Sequence, residues 1–342
     1  MQQVRVVVAT PLEPELVERI RAVDDRLDVR FEPDLLPPAR YPSDHIGEPE
    51  FQRSAEQEER FTQLVAEAEV ALGFPRESPD GLAWLVRTAR QLRFVQCMYA
   101  GAGQQVGAAR LTRDELERVA FASSSGVHAV PLAEWSMFGI LALLKGLPRL
   151  LRDKRDRAWP HYPVSELRGK TLLVVGLGAI GREVARLAEA FGMQVIGIKR
   201  TPHGTAAGAD RLDELVGDAD AVVITLPLTD ETRGLVDRET IERMRDGAIL
   251  VNVGRGAVVD EEALVAALRS GKLGGAALDV FVDEPLPATS PLWELENVIV
   301  SPHTAALSWH ENERIVGLFA ENLRRYLRGD ELLSRVRTTV FY

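Results

Sequence analysis

A glycine-rich turn near the middle of the chain has the spacing of a phosphate-binding loop. An apolar run at 171–175 is typical of a buried strand, and a helical pattern begins a few residues later. Three glycines lie between them in the order Gly-x-Gly-x-x-Gly: Gly176, Gly178 and Gly181. The first permits a tight turn, the second lets the backbone approach a pyrophosphate, and the third allows close packing of helix on strand. Because amides at a helix N-terminus attract anions, we expect Ala179 and Ile180 to contribute to a dinucleotide site.

Two basic residues follow the second strand of this unit, where NAD-dependent proteins usually have an acid. They are Lys199 and Arg200. A carboxylate at this point would repel a 2′-phosphate on the adenosine ribose, whereas these side chains attract it and a guanidinium can bind it bidentately. The sequence therefore predicts a preference for NADP, with NAD still possible. The alternative interpretation is a solvated basic pair, with the cofactor held mainly through its pyrophosphate.

Six apolar runs predict the sheet that positions these groups. They lie at 171–175, 195–198, 221–225, 249–253, 276–280 and 298–300. Near-continuous apolar strands of this kind are covered by helices on both faces, and helical patterns at 182–191 and 260–269 provide such cover. The pattern predicts a doubly wound parallel sheet, with an NAD(P)-binding Rossmann domain over 104–304.

The residues before and after this domain predict a second α/β domain. Short strands are expected at 4–8, 27–31, 70–72 and 94–98, with a helical pattern at 82–89. Residues 37–60 are rich in Pro, Glu and Ser and have no sustained period, so they predict a surface insertion. A helix at 311–328 should return to the first domain. We therefore expect a discontinuous substrate domain formed by 1–103 and 305–342, also of Rossmann-like or flavodoxin-like type.

Composition excludes several classes of protein. With 41 basic and 51 acidic residues the net charge is −10, which argues against a nucleic-acid partner. The longest apolar stretch, 137–144, is far shorter than the roughly 20 residues that span a bilayer, and the first residues have no signal-peptide pattern. The single Cys97 excludes an internal disulfide and a thiolate metal site. We expect a cytoplasmic protein that holds no metal and binds neither membrane nor nucleic acid.

Several ordered motifs besides the glycine loop resemble those of the D-isomer-specific 2-hydroxyacid dehydrogenases. The resemblance covers nearly the whole chain, and within that family it is strongest to glyoxylate and hydroxypyruvate reductases. The segments that carry it are 125–134 (SGVHAVPLAE), 226–232 (LPLTDET), 252–256 (NVGRG), 278–285 (LDVFVDEP) and 301–303 (SPH). The resemblance implies hydride transfer between a nicotinamide cofactor and a small 2-oxo or 2-hydroxy acid.

The resemblance implies a catalytic set of Arg255, Glu284 and His303, and each residue type suits the chemistry. Reduction of a 2-oxo acid needs a fixed cation for the carboxylate and carbonyl oxygen, which the guanidinium of Arg255 provides. The developing alkoxide needs a proton, so His303 is expected to act as general acid/base. Glu284 is expected to tune His303 by orienting the ring and stabilising its cationic form beside Arg255. The expected product is a D-2-hydroxy acid.

The resemblance also implies the contacts of cofactor and substrate. The cofactor residues are Leu226, Pro227 and Thr232 on the adenosine side, Val253 and Gly254 at the nicotinamide ribose, and Asp279 at the nicotinamide carboxamide. The substrate carboxylate is expected on the backbone of Tyr99, Ala100 and Gly101. Ala179 stands where the family often has arginine, which removes one possible pyrophosphate contact. Family members are typically homodimers joined through their nucleotide domains, and the same is expected here.

Two alternatives remain open at this stage. A formate dehydrogenase shares the architecture, but it usually replaces the acidic partner of the histidine with an amide, and Glu284 argues against it. A corepressor-like binding protein could use the same fold to sense a dinucleotide, and an intact catalytic set does not exclude it. Turnover of a 2-oxo acid separates the enzyme from the sensor.

Overall fold

The computed structural model describes residues 3–200 and 206–339 of the chain. The described residues form two compact units. The first unit contains the described residues of Met1–Val127 and of Leu307–Tyr342. The second unit contains the described residues of His128–Ala306. Each unit is an α/β structure with its own parallel sheet.

The first unit contains a five-stranded sheet in the order β2-β1-β3-β4-β5, in which every pairing is parallel. Its strands are β1 (Val4–Val8), β2 (Leu27–Arg30), β3 (Val70–Leu72), β4 (Phe94–Gln96) and β5 (Ala120–Ala122). Its helices before the second unit are α1 (Pro14–Arg21), α2 (Ala55–Ala66), α3 (Pro79–Thr88), α4 (Ala102–Ala108) and α5 (Arg113–Arg118). This is the strand order of flavodoxin-like folds. The order in which strands are added to the sheet reverses between β1 and β3, although both strands point the same way.

The second unit contains a six-stranded sheet in the order β11-β10-β9-β8-β6-β7, again with parallel pairings. Its strands are β6 (Thr171–Val175), β7 (Gln194–Ile198), β8 (Ala221–Ile224), β9 (Ala248–Asn252), β10 (Leu273–Leu278) and β11 (Val298–Val300). Its helices are α6 (Ala129–Leu144), α7 (Leu147–Asp156), α8 (Ala179–Ala190), α9 (Leu212–Leu215), α10 (Arg238–Arg243) and α11 (Glu261–Ser270). The order of strands reverses between β6 and β8, which creates a crevice at their carboxyl ends.

Burial on both faces explains why the strands of the second unit are continuously apolar. Leu173 and Val175 belong to one buried cluster, whereas their neighbours Leu172 and Val174 belong to another. Because successive side chains of a strand point to opposite faces, the two clusters lie on the two sides of the sheet. The expected fold class, two doubly wound parallel α/β domains with the first one discontinuous, is confirmed.

The chain returns to the first unit through its last helix, α12 (Glu311–Arg328). Ile315, Phe319 and Leu323 are fully buried and join the cluster that contains β1. They recur at intervals of four residues, so they form one apolar stripe. The helix has the bounds that its periodicity predicts.

The first unit extends further along the chain than predicted. We expected residues 104–127 in the nucleotide domain, but they cluster with the first unit, which reaches Val127. The reason is β5, whose residues Ala120 to Ala122 pair in parallel with Phe94 to Gln96 of β4. The segment Ala-Phe-Ala has no β-branched residue, unlike the equally short predicted runs at 70–72 and 298–300, so the sequence pattern did not reveal it.

The insertion predicted over 37–60 is partly helical, because α2 begins at Ala55. A capping box fixes this start: the Ser54 hydroxyl accepts the Gln57 amide at 3.2 Å, and the Gln57 side chain accepts the Ser54 amide at 3.0 Å. The expectation of an irregular segment was therefore wrong for its last residues. Serine followed by glutamine three residues later is a sequence signal that could have predicted this helix.

Helix α6 contains the apolar stretch 137–144 and lies in the core of the second unit. Met137 and Ile140 are buried in the cluster that includes β6 and β9. Within the described residues, no single helix has the length and apolarity needed to cross a bilayer. Only α6 and α7 taken together are long and apolar enough, and they are bent by 57° relative to each other.

Candidate functional site

The glycine turn after β6 has the close contacts that its spacing predicts. Gly176 has a φ of 110°, a region that favours glycine, and its carbonyl accepts the Thr225 hydroxyl at 2.5 Å. A Cβ on Gly181 would lie 2.1 Å from the Gly176 oxygen, so only glycine lets the helix pack on this turn. A Cβ on Gly178 would meet no atom of the described chain within 4 Å. The space in front of Gly178 is therefore open on the side where a ligand would approach.

Helix α8 starts directly at this open space. Gly178 is its N-cap and supplies no side chain to bind the first amides. Ala179 and Ile180 occupy the first helical positions, whose amides have no partner within a helix. The positive end of the helix dipole and these amides together suit an anion such as a pyrophosphate. The residues present therefore fit a bound dinucleotide.

The basic pair after β7 is exposed. The Lys199 amide donates to the Ala207 carbonyl at 2.9 Å, which returns the chain beside the strand end. The Arg200 guanidinium lies 3.6 Å from the Glu231 carboxylate, and the two side chains are 72% and 71% exposed. This is a weak surface pair in which Glu231 competes for the guanidinium that we assigned to a ribose phosphate. Residues 201–205 lie outside the described part of the chain.

The loop after β8 is held by its own threonines. The Thr232 hydroxyl donates to the Pro227 carbonyl at 2.7 Å and accepts the Thr229 amide at 2.8 Å. A Cβ on Gly254 would lie 2.5 Å from the Leu226 carbonyl oxygen, so glycine allows the turn after β9 to approach this loop. The Val253 amide donates to Ile224 at 3.1 Å. The predicted adenosine-side and ribose-side segments are therefore neighbours.

Asn252 fixes the turn that carries Arg255. Its side-chain oxygen accepts the Gly254 amide at 3.0 Å, and its side-chain nitrogen donates to the Arg255 carbonyl at 3.0 Å. Asn252 is buried at the end of β9, and the Arg255 guanidinium is half-buried and donates to the Gly254 carbonyl at 2.7 Å. Because both ends of the turn are tied to one side chain, the direction of Arg255 is restricted.

A second turn, after β10, packs against the Arg255 turn. A Cβ on Gly256 would lie 1.9 Å from the carbonyl carbon of Phe281, so the two backbones are in direct contact. The Phe281 amide donates to Glu284 Oε1 at 3.0 Å, and Glu284 Oε2 lies 2.7 Å from His303 Nδ1. The structure thus joins Glu284 and His303 directly and brings the segment that bears Arg255 against the segment that bears Glu284.

The backbone of His303 has an uncommon, left-handed conformation. His303 has a φ of 56°, which is uncommon for a residue with a side chain and is often found at functional positions. Its amide donates to the Asp279 carbonyl at 3.0 Å, and 45% of its side chain is exposed. Because Nδ1 faces Glu284, Nε2 is the nitrogen that remains for proton exchange.

Asp279 is buried beside this histidine. Its Oδ1 accepts three hydrogen bonds, from the Ser301 hydroxyl at 2.7 Å and the amides of Thr304 and Ala305 at 2.9 and 3.0 Å. Burial raises the pKa of the Asp279 carboxyl, and the Ser301 hydroxyl opposes that rise. These bonds fix the carboxyl group at the end of β10 and leave Oδ2 as its other acceptor.

The predicted substrate loop belongs to the first unit. Tyr99, Ala100 and Gly101 follow β4 and lead into α4, whose N-cap is Gly101. The Tyr99 carbonyl accepts the Ser124 amide at 3.1 Å, and the Tyr99 ring meets His45 edge-on at 5.8 Å. Burial raises the pKa of the Tyr99 hydroxyl. The loop lies at the carboxyl end of its sheet, where ligands of open α/β folds bind.

Three residues that position the site were not singled out from the sequence. Asn252 fixes the Arg255 turn, Ser301 orients Asp279, and Thr225 binds the glycine turn. Each stands at or just after the end of a strand, within two residues of a predicted site residue, and a small polar residue there was the available signal. In the part of the chain that the structure describes, no group of three or more His, Cys, Asp or Glu could hold a metal ion.

A glycine turn at the reversal point of a doubly wound parallel sheet defines a dinucleotide-binding α/β protein. Comparisons with known proteins specify the class further. The profile of the D-isomer specific 2-hydroxyacid dehydrogenase, NAD binding domain, matches residues 137–305.

Curated relatives and solved structures agree with this match. The chain is 39% identical over 221 residues to an (S)-sulfolactate dehydrogenase of Chromohalobacter salexigens, covering 61% of this chain and 70% of that one. It is 42% identical over 219 residues to a glyoxylate reductase of Korarchaeum cryptofilum, covering 61% and 66%. A D-isomer specific 2-hydroxyacid dehydrogenase of Xanthobacter autotrophicus Py2, solved with NADPH and MES, superposes with a TM-score of 0.76 at 29% identity and complete coverage of both chains.

The chain therefore belongs to the D-isomer specific 2-hydroxyacid dehydrogenase family. It is an oxidoreductase acting on CH–OH donors, and its second unit contains an NAD-binding domain.

Proposed function

We propose that the chain reduces a small 2-oxo acid, of the glyoxylate or hydroxypyruvate type, to the D-2-hydroxy acid with a nicotinamide cofactor. The observation that carries the proposal is the 2.7 Å contact between His303 Nδ1 and Glu284 Oε2. An imidazole held by a carboxylate, next to a turn that bears an arginine, is the set of groups that reduction of a carbonyl beside a carboxylate needs. The glyoxylate reductase among the relatives supports the substrate class.

Each residue of the set has a separate part in the reaction. Arg255 binds the substrate carboxylate and carbonyl oxygen, and its permanent charge stabilises the negative charge that develops on that oxygen. His303 donates a proton from Nε2 to the same oxygen, while Glu284 keeps the ring oriented and stabilises its cationic form. A reduced nicotinamide, when bound, would supply the hydride to the carbonyl carbon. The backbone of Tyr99, Ala100 and Gly101 holds the substrate carboxylate.

Two other functions are less well supported. A formate dehydrogenase needs no proton donor, and the Glu284–His303 contact would have no use in it. A dinucleotide-sensing corepressor would need the glycine turn but not an arginine, a glutamate and a histidine on adjoining turns. We keep the sensor as the second candidate because the open space before Gly178 suits ligand binding without turnover.

A panel of 2-oxo acids tests the proposal directly. Purified protein is mixed with NADPH or NADH and with glyoxylate, hydroxypyruvate or a longer 2-oxo acid, and the loss of reduced cofactor is followed by absorbance. We expect turnover of the small acids, and a loss of about 10²- to 10⁴-fold in kcat for His303→Ala with cofactor binding retained. Cofactor binding without turnover of any acid in the panel would favour the sensor.

We further propose that the cofactor is preferentially NADP. The proposal rests on Lys199 and Arg200 at the end of β7, where the adenosine ribose would lie. The solved relative from Xanthobacter autotrophicus contains NADPH. The Arg200 guanidinium lies 3.6 Å from the Glu231 carboxylate, so binding a 2′-phosphate requires the guanidinium to leave that carboxylate.

The pairing with Glu231 provides a test in both directions. The double variant Lys199→Ala/Arg200→Ala should raise the KM for NADPH at least about tenfold more than the KM for NADH, because only NADPH loses a charged contact. The single variant Glu231→Gln removes the competing carboxylate and should lower the KM for NADPH without affecting NADH. Equal effects on the two cofactors in both variants would refute the phosphate-binding role.

We also propose that the protein is a cytoplasmic homodimer joined through the nucleotide unit. The support is an exposed apolar surface on α6 and α7, which includes Phe138, Leu150 and Leu151. Light scattering should give twice the chain mass of 37.8 kDa. Leu151→Glu should yield the monomer, whereas the matched change Leu333→Glu in the other unit should not; an unchanged mass in both would contradict this surface as the interface.

The single buried Cys97 supports a reducing compartment, and cell fractionation tests that location.

A further inference from the structure

A buried glutamate lies in the turn between β3 and α3, a segment that the catalytic scheme does not use. Glu77 is 3% exposed, although glutamate is rarely buried without a partner. The backbone of Arg76 and Glu77 is left-handed, with φ of 56° and 47°. Two consecutive residues with side chains in this region are costly, and such conformations persist where the surroundings hold them. The turn is therefore built to place the Glu77 carboxyl in the interior.

The Glu77 carboxyl ties two loops together. Its Oε1 accepts the Phe74 amide of the segment after β3 at 3.0 Å, and the Met98 amide after β4 lies close enough to the carboxyl to lower its pKa. Met98 immediately precedes the loop Tyr99–Gly101. From the other side, the Gln105 side chain on α4 donates to the Glu77 carbonyl at 2.8 Å. One residue thus contacts both the start of the loop and the helix that follows it.

The other carboxyl oxygen has no partner. Among the described residues, Glu77 Oε2 is buried and makes no hydrogen bond, and the same is true of the Gln105 side-chain oxygen. An ionised carboxylate in such a place, without a cation to balance it, would be far more costly than a neutral carboxyl group. Burial raises the pKa of Glu77 to about 8, against the smaller opposing effect of the two amides.

The groups that surround Glu77 do not balance a negative charge. The residues near Glu77 include Thr10 after β1, Cys97 after β4, Tyr99 in the loop and Gln105 on α4. The two that titrate, Cys97 and Tyr99, are acids, and the negative charge of Glu77 contributes to raising the pKa of each. Ionisation of Glu77 would therefore place an unbalanced charge under the loop.

We propose that Glu77, as a neutral carboxylic acid, is the positioning residue of the loop Tyr99–Gly101 and makes that loop able to hold an anion. Ionised Glu77 would repel a carboxylate bound on the amides above it and would weaken binding of the substrate, but not of the cofactor. The inference rests on the proposed function, in which this loop holds the substrate carboxylate. It adds a residue that controls the pH range in which an anionic substrate binds.

The kinetic test compares wild-type enzyme with Glu77→Gln, which keeps an acceptor oxygen and cannot ionise. Above pH about 8, the wild-type KM for glyoxylate should rise up to about tenfold per pH unit, and the KM for NADPH should not follow it. In Glu77→Gln the rise should be absent. Titration of groups common to both enzymes cancels in the ratio of their KM values. The exposed Glu56→Gln in the same unit is the matched control and should behave as wild type.

A second measurement needs no turnover, so it separates failure of this inference from failure of the proposed function. The infrared difference between wild-type protein and Glu77→Gln should contain the band of a protonated carboxyl at neutral pH, lost as the pH passes about 8. If the variant does not fold, NMR of wild-type protein with isotope-labelled glutamate should contain one carboxyl that titrates there. A Glu77 that is ionised at neutral pH, or an unchanged KM profile in Glu77→Gln, would overturn the inference.

Discussion

Replacing Gly256 by alanine should separate the turn that bears Arg255 from the turn that bears Glu284. The new Cβ would lie 1.9 Å from the carbonyl carbon of Phe281 and 2.1 Å from its oxygen. Both neighbours are backbone atoms, so no side-chain rotation can relieve the contact. Phe281 in turn donates its amide to Glu284, which holds His303, whereas Gly256 follows Arg255 directly. The substitution therefore acts on the distance between Arg255 and His303.

The size of the effect follows from the overlap. Carbon atoms in contact are optimally about 3.5 Å apart, so the turns must separate by about 1.6 Å. A misplacement of about 1 Å between reacting groups can lower the rate about 100-fold, equivalent to about 2.7 kcal/mol in the barrier. Overpacking of this kind also lowers the free energy of unfolding by about 1–3 kcal/mol. We expect a folded, less stable protein with at least a 100-fold lower kcat/KM.

The assay is steady-state oxidation of NADPH with glyoxylate, together with urea unfolding of the same preparations. Gly217→Ala is the matched control, because its Cβ would meet only the Arg243 carbonyl oxygen at 3.4 Å, an ordinary contact. It should retain the kcat/KM of wild type. If Gly256→Ala unfolds like wild type and keeps its kcat/KM, the proposed coupling between the two turns is wrong.

Three further predictions follow from contacts in the second unit. Glu284→Gln keeps a hydrogen bond to His303 but loses the charge that stabilises the cationic form of the ring. Because both side chains are more than a third exposed, kcat should fall only about tenfold. An unchanged kcat would contradict the proposed role of Glu284. Gly178→Ala should leave the melting temperature unchanged and raise the Kd for NADPH at least about tenfold, whereas Gly181→Ala should also lower stability by about 1–3 kcal/mol; equal melting temperatures would refute the contrast. Burial raises the pKa of Asp279, so the folded state binds its proton more tightly than the unfolded state does. The free energy of unfolding of wild type relative to Asp279→Asn, measured by urea titration, should therefore decline as the pH rises above about 4. An increase with pH would contradict this prediction.

Much of the second unit could be predicted from the sequence because burial on both faces leaves a strong pattern. The apolar runs at 171–175 and 298–300 have the bounds of β6 and β11. By contrast β10 begins at Leu273, three residues before the run at 276–280, because its first residues include Gly274 and Gly275. Glycine is depleted in strands, but here a Cβ on either residue would strike a backbone oxygen of a neighbouring strand or loop. That constraint is visible only in three dimensions.

The candidate site was predictable to the extent that chemistry and spacing are local. The glycine turn and the neighbouring helix start could be read from the sequence, and the structure joins Glu284 to His303, although they are 19 residues apart. The roles of these residues stay predictions. The role of Glu77 could not be predicted, because it depends on which amides approach the carboxyl after folding. Residue type alone does not distinguish a buried glutamate from the many exposed ones.

Oxidation of NADPH by hydroxypyruvate, with the product identified, distinguishes an active reductase from a protein that only binds the cofactor when wild type is compared with His303→Ala. We expect one D-glycerate for each NADPH consumed by wild type, and a variant that binds NADPH equally well but turns over about 10²- to 10⁴-fold more slowly. A variant as fast as wild type, or formation of the L-isomer, would contradict the assignment of His303 as proton donor or the D-specific reaction.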